Sequence, residues 1–178
     1  LVDGDKVFWT TGGKVNNEVA LNRCTGRLIW SNKGFGESSA YNPPKLIEIP
    51  GRHIIVTFSS YHLMGFDTET GELLWSHEQT NYPLSKRAPG YGDTHCNTVL
   101  FDNGSIYYVA GDGNGGVKLN LSKDGKKITE VWRNKDFTSY MGGVVKIGDD
   151  LYSCGTGKPD IRAINANSGA LSDSLRIG

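Results

Sequence analysis

The sequence predicts an all-β protein, a β-propeller of four-stranded antiparallel blades. Three observations carry that prediction. The first is a phrase that recurs. Its clearest copy is residues 63–75, Leu-Met-Gly-Phe-Asp-Thr-Glu-Thr-Gly-Glu-Leu-Leu-Trp. An apolar run stops at Asp67, turns through Thr70 and Gly71, and resumes toward Trp75. Asp and Thr side chains bond nearby backbone, and glycine takes positive φ without steric cost, so the phrase reads as an antiparallel hairpin. The second observation is spacing. Turn glycines Gly26, Gly71, Gly125 and Gly169 lie 45, 54 and 44 residues apart, a period expected of repeat arrays and propellers. The third is the abundance of glycine, 24 residues, with no sustained helical periodicity.

The other copies differ in completeness. Residues 19–30, Val-Ala-Leu-Asn-Arg-Cys-Thr-Gly-Arg-Leu-Ile-Trp, match closely. Residues 117–132 carry a longer turn through Asp124 and Gly125 before Trp132. Residues 161–171 keep Asn165 and Gly169 but have no Trp.

Between these hairpins lie further short strands. Residues 6–11 carry Val7, Phe8 and Trp9. Residues 46–49 come after Pro43-Pro44, which cannot sit in a central ladder. Residues 54–58, Ile-Ile-Val-Thr-Phe, are apolar and β-branched throughout, as expected of a strand buried on both faces. Residues 98–101, 106–109, 144–147 and 151–154 complete the set. Tight turns are expected at Asp3-Gly4, Pro50-Gly51, Asn103-Gly104 and Asp149-Asp150. The repeats then run 1–32, 40–78, 95–134 and 139–178 as one propeller segment of about four blades. Both ends cut within the repeat, so the expectation is part of a seven- or eight-bladed ring, with the remaining blades as partners.

Composition excludes several functions. The 19 basic and 19 acidic residues cancel, and no basic stripe marks a nucleic-acid surface. No apolar run of about 18 residues offers a membrane span. The cysteines, Cys24, Cys96 and Cys154, have no metal-ligand spacing and no adjacent pair, and they read as buried or semi-buried thiols. His53, His62, His77 and His95 show no metal spacing either, so no metal site is expected. Residues 111–116, Gly-Asp-Gly-Asn-Gly-Gly, fit a dinucleotide fingerprint, but residues 117–121 read as a strand where the fingerprint needs a helix N-terminus. An EF-hand reading of the same loop fails at Lys123, where a glutamate is required. Asn103 and Asn120 head glycosylation sequons that read as chance matches at turns.

The pattern apolar-Leu-Asn/Asp-x-x-Thr-Gly-x-x-x-Trp resembles the tryptophan-docking repeat of quinoprotein-type propellers. That family includes pyrroloquinoline quinone (PQQ) alcohol dehydrogenases, polyvinyl-alcohol-dehydrogenase-like bacterial quinoproteins and the propeller lipoprotein of outer-membrane assembly. The resemblance implies that Trp30, Trp75 and Trp132 pack between blades near the outer rim, each indole bonding a neighbouring turn. It also implies a periplasmic or secreted location. PQQ and calcium are cofactors by resemblance only. Family enzymes cover PQQ with a disulfide between adjacent cysteines, and this sequence has none. No catalytic residue carries over.

Three functions are open to such a chain. The first is a binding or scaffolding module for a small molecule or protein. The second is a PQQ-dependent alcohol dehydrogenase, and the third a glycan-active hydrolase or lyase. The ligand site expected from the repeat register is axial. Inner strands are expected to begin at Asn42, Asn97 and Gly142, which lie 25, 23 and 23 residues before Asp67, Asn120 and Asn165. Residues just ahead of an inner strand face a propeller's opening. They are Ser39, Ala40 and Tyr41; Thr94, His95 and Cys96; and Ser139, Tyr140 and Met141. Tyr41, Asn42, His95, Asn97 and Tyr140 are the candidate ligand residues, with Arg87 on the long connection 76–97 as a cationic wall. The alternative is that these side chains only plug the channel.

Overall fold

The computed structural model describes residues 1–87, 95–111, 113–155 and 160–177. Among them sixteen strands form four sheets, each four-stranded, antiparallel and blade-like, as a partial propeller of about four blades requires. In the first sheet β1 (Val2–Asp3), β2 (Lys6–Thr10), β3 (Glu18–Asn22) and β4 (Leu28–Asn32) lie in sequence order. The second holds β5 (Lys45–Ile49), β6 (Arg52–Phe58), β7 (His62–Asp67) and β8 (Leu73–Glu78). The third holds β9 (Leu100–Asp102), β10 (Ser105–Ala110), β11 (Gly115–Leu121) and β12 (Ile128–Asn134). The fourth holds β13 (Val145–Ile147), β14 (Asp150–Cys154), β15 (Asp160–Asn165) and β16 (Leu171–Arg176). Among the described residues the helical content is one 3₁₀ turn, Leu84–Lys86. No helix there is long and apolar enough to cross a membrane.

The chain divides into two compact units. Unit 1 is Leu1–His95 with Ser122–Ile128, and unit 2 is Cys96–Leu121 with Thr129–Gly178. In unit 1, the row Phe8–Ala20–Trp30 across the first sheet packs with Leu46 and Ile55 of the second. Strands β6 and β7 are buried from Ile54 to Phe58 and from Leu63 to Asp67, as the unbroken apolar run predicts. In unit 2, Tyr107, Val109, Phe137, Leu151, Ile164 and Ala166 form one core, with Trp132 packed against it.

Two expectations shift. The first and last inner hairpins turn at Gly4-Asp5 and Gly148-Asp149, because Asp3 pairs with Lys6 and Ile147 with Asp150. The inner strands begin at Lys45, Leu100 and Val145, each three residues later than expected. Side chains explain two of these delays. Asn42 accepts a bond from the Phe58 N–H at 3.2 Å, and Asn97 donates to the Val109 carbonyl at 3.0 Å. In both cases an amide side chain takes the ladder's place at the end of the neighbouring strand.

The signature turns follow one local rule. Asn22, Asp67 and Asn165 each accept, through Oδ1, backbone N–H bonds from the residues two and three positions on. Gly26, Gly71 and Gly169 then close each turn at φ 69°, 72° and 71°, in the left-handed region. The pairing shifts by a bulge at Ala20/Leu21, Gly65/Phe66 and Ala163/Ile164. In the third repeat Ser122, not Asn120, organises the turn, its hydroxyl accepting the Lys127 N–H at 2.9 Å.

Candidate functional site

Each signature Trp uses its single donor on a turn carbonyl. In unit 1 the Trp30 indole donates to Thr68 at 3.0 Å and that of Trp75 to Gly125 at 3.1 Å. In unit 2 the Trp132 indole donates to Ala166 at 3.1 Å. A side chain added at Gly71 or Gly169 would stand 2.6 Å from the docked Trp30 or Trp132 ring, and one at Gly125 would strike Ile54 at 2.7 Å. These glycines therefore permit close approach as well as the turn. Trp30 and Trp75 are buried, while Trp132 is half-buried. A second contact was not foreseen. Asn32 and Asn134, two residues after their Trp, donate to the Gly71 and Gly169 carbonyls at 2.7 and 2.8 Å. The signal was present as Trp-x-Asn, and in the second repeat His77 stands at that place.

The turns Asn22–Gly26 and Asp67–Gly71 hold one end of their sheets, and the long connections gather at the other. There, in unit 1, the structure builds a cavity of about 310 Å³ lined by Phe35, Gly36, Glu37, Tyr61, His62, Leu84 and Arg87. Its floor is a carboxylate–imidazole pair. His62 Nδ1 lies 2.7 Å from Glu37 Oε1, and the Ser59 hydroxyl and the Tyr61 N–H donate to Glu37 Oε2. Burial works to raise the Glu37 pKa, but the His62 and Ser59 bonds outweigh it and hold the carboxyl below its usual range. Phe35 stacks on the His62 ring at 4.0 Å and 10°. Arg87 lies over the Tyr61 ring at 5.2 Å and is paired with Glu78 at 2.9 Å.

Close backbone contacts bring these segments together. Gly13 and Ser60 N–H groups donate to the Glu37 and Ser38 carbonyls. Ser39 bridges Ser59, and a side chain at Gly12 would strike the Ser39 nitrogen at 2.3 Å. A larger groove, about 440 Å³, lies at the turn end by Arg52 and Asp67. Its carboxylates are already taken, Asp67 by Arg52 and the Asx turn and Glu69 by Lys6, so the Phe35 cavity is the better candidate.

The axial candidates fall in both units. In unit 1 the Tyr41 N–H donates to the His95 carbonyl at 3.0 Å, which joins the two backbones. Tyr41 is 78% exposed, whereas His95 is buried, stacked on Phe58 at 4.5 Å with Nε2 3.1 Å from the Gln79 carbonyl. In unit 2, Asn97 is buried and donates to the Ser139 carbonyl at 2.9 Å while accepting from Gly143. Tyr140 lies over Gly111, whose added side chain would meet the ring at 2.8 Å. Asn42 is bound to Phe58 as above, and Arg87 lines the Phe35 cavity. Thr94 lies outside the described residues, as does Asp112 of the glycine-rich run. That run leads into strand β11. The Glu37–His62 pair was invisible beforehand, since 25 residues and no motif separate the two.

The cysteines Cys24, Cys96 and Cys154 form no disulfide; Cys96 is half-buried, but Cys24 and Cys154 are exposed rather than buried, Cys24 because it sits in the turn capped by Asn22. Among the described residues no three His, Cys, Asp or Glu side chains gather to hold a metal. Among the described residues this donor set does not fit calcium-bound PQQ.

Four-stranded antiparallel sheets whose outer-strand tryptophans dock on repeat turns define a protein of the PQQ-like, BamB-type β-propeller class. The chain belongs to the family described as outer membrane protein assembly factor BamB, whose family model matches residues 1–174. No curated protein matches it. Solved structures share the fold at low identity. BamB from Moraxella catarrhalis has a TM-score of 0.66 at 13% identity, over 98% of this chain and 47% of that one. A europium-containing methanol dehydrogenase has 0.60 at 13%, over 99% and 40%. The quinohemoprotein alcohol dehydrogenase of Comamonas testosteroni has 0.60 at 16%, over 98% and 34%. The chain thus spans half or less of the length of these structures.

Proposed function

We propose that this chain is a binding or scaffolding propeller segment that works outside the cytoplasm, with the Phe35 cavity receiving an apolar side chain of a protein partner. The observation that carries the reading is the family match over residues 1–174, to a family described as an assembly factor. The cavity supports it chemically. Phe35 and Leu84 are exposed beside Tyr61, while Glu37 and His62 are paired with each other and Arg87 with Glu78. Such a pocket offers apolar contact area and leaves little unpaired charge for an ionic ligand.

The test titrates the chain with N-acetyl-leucinamide and N-acetyl-phenylalaninamide, and separately with PQQ plus calcium and with a glycan panel. Expected are saturable shifts of the Phe35 and His62 ring resonances by the amino-acid amides, lost in Phe35→Ala. Stoichiometric binding of PQQ, seen as a change in its visible absorption, would replace this reading with a quinoprotein dehydrogenase, and a glycan hit would replace it with a glycan-active protein.

A further inference from the structure

The hydrogen bonds around Glu37 all run one way. The Ser59 hydroxyl and the Tyr61 N–H donate to Oε2, and His62 Nδ1 stands 2.7 Å from Oε1. Although burial opposes it, the bonds from His62 and Ser59 hold the carboxyl below its usual range, so it is ionised and can only accept. The proton of the Glu37–His62 bond therefore sits on His62 Nδ1. A neutral imidazole carries one N–H, and its other nitrogen is an acceptor. That nitrogen is Nε2. Among the described residues Nε2 has no partner. It is not sealed either, since the His62 side chain keeps 14% of its surface exposed.

The rest of the cavity narrows what can use that acceptor. Phe35, stacked on the His62 ring, is 47% exposed and Leu84 is 79% exposed, so apolar surface lines the same cavity. Arg87 is committed to Glu78 and to the Tyr82 carbonyl, which leaves little to attract an anion. Glu37 already takes three donors, which leaves little to attract a cation. The volume, about 310 Å³, stands at the small end of the pockets that hold whole small molecules, about 300–1,000 Å³. It suits a single side chain presented by a protein.

We propose that the Phe35 cavity is a tyrosine-selective socket, in which the ring of a partner protein's tyrosine packs on Phe35 and Leu84 and its hydroxyl donates to His62 Nε2. This rests on the reading of the cavity as a receptor for a partner's side chain, and specifies which one. Tyrosine is the neutral side chain that carries a donor at the far tip of an aromatic body. Serine and threonine donate but bring too little apolar surface. Phenylalanine and leucine bring the surface but displace water from the acceptor without replacing its bond. The tryptophan donor sits on the flank of a larger ring. Lysine would carry a charge out of water with no open carboxylate to meet it. Glu37 is then a positioning residue, because its bond to Nδ1 fixes which imidazole nitrogen accepts.

The test titrates the whole chain with N-acetyl-tyrosinamide, N-acetyl-phenylalaninamide and N-acetyl-O-methyltyrosinamide at about pH 8.5, well above the ordinary imidazole value. The tyrosine amide should bind about three- to tenfold more tightly than the other two, the worth of one hydrogen bond. Imidazole ¹H–¹⁵N spectra should place the proton on Nδ1 in the free protein, and the Nε2 resonance should move when the tyrosine amide is added. His62→Phe keeps a flat ring beside Phe35 and removes the acceptor, so the tyrosine-to-phenylalanine ratio should fall to near one. If that variant fails to fold, the O-methyl comparison in the parent decides the same point. Equal affinity for the tyrosine and phenylalanine amides would overturn the inference and leave the apolar cavity standing. Saturable binding of neither would overturn both. A proton on Nε2 would overturn it in favour of a ligand that accepts. Tighter binding of N-acetyl-tryptophanamide or N-acetyl-lysinamide would overturn it in favour of an indole or a cation.

Discussion

In the second sheet Gly65 on β7 faces Trp75 on β8, and in the fourth Ala163 on β15 faces Asp173 on β16. The two sheets share strand order, bulge and signature turn. Their outer strands nevertheless behave differently. Trp75 is buried, and a side chain added at Gly65 would fall 2.3 Å from its ring. Every residue of β16 is exposed, and an open groove of about 430 Å³ runs along Tyr152, Ala163 and Asp173. The turn and the docking are therefore separable. The turn is held by an Asn or Asp side chain acting over four residues. Docking needs a large ring with one donor, aimed at a carbonyl tens of residues away.

The largest break in that comparison should come from Trp75→Ala. Removing a buried, hydrogen-bonded Trp should cost about 3–5 kcal/mol in urea unfolding. A mutant as stable as the parent would mean that docking is not what separates the two sheets.

Glu18 sharpens the contrast from the opposite direction, as an acid in a buried site where Asp173 is an acid in water. It is fully buried on β3, and neither carboxylate oxygen has a partner of hydrogen-bond geometry. Burial raises its pKa from 4.5 to about 7, with the nearby Thr10 hydroxyl opposing the rise. Because the folded pKa is the higher one, the folded state holds a proton that the unfolded state releases between those values. Stability should therefore fall as pH rises from about 4.5 to about 7, by up to about 3 kcal/mol, and level off above. Denaturation of Glu18→Gln across that range should give a flatter profile. An unchanged slope would assign the pH dependence to other groups.

Smaller effects test the secondary contact and the exposed strand. Asn32→Ala removes the bond to the Gly71 carbonyl and the one Oδ1 accepts from the Gly34 N–H, and should cost about 1–2 kcal/mol. Asp173→Ala should stay within about 0.5 kcal/mol of the parent, since the whole of that strand is exposed. A loss comparable to that of Trp75→Ala would show that β16 is covered in solution.

The repeat was legible because its determinants are local or periodic. Asn22, Asp67 and Asn165 make their turns with their own side chains, and glycine answers the positive φ at a fixed offset. The run from Ile54 to Phe58 announced burial on both faces. Two of the inner strands start three residues later than the register predicts because Asn42 and Asn97 use side chains in place of a ladder, a choice visible only once the neighbouring strand is in place.

Within the candidate sites the division is sharper. The blade unit and its signature turns were readable from the residues alone, because each depends on contacts a few residues apart or on a repeated interval. Folding in three dimensions was needed to bring Glu37 to His62 and Ser59, to turn Arg87 toward Glu78 and Tyr61, and to pack His95 on Phe58. Those partners come from separate connections that carry no period. Their chemistry arises from spatial proximity and burial, and neither quantity is written in the spacing of the residues.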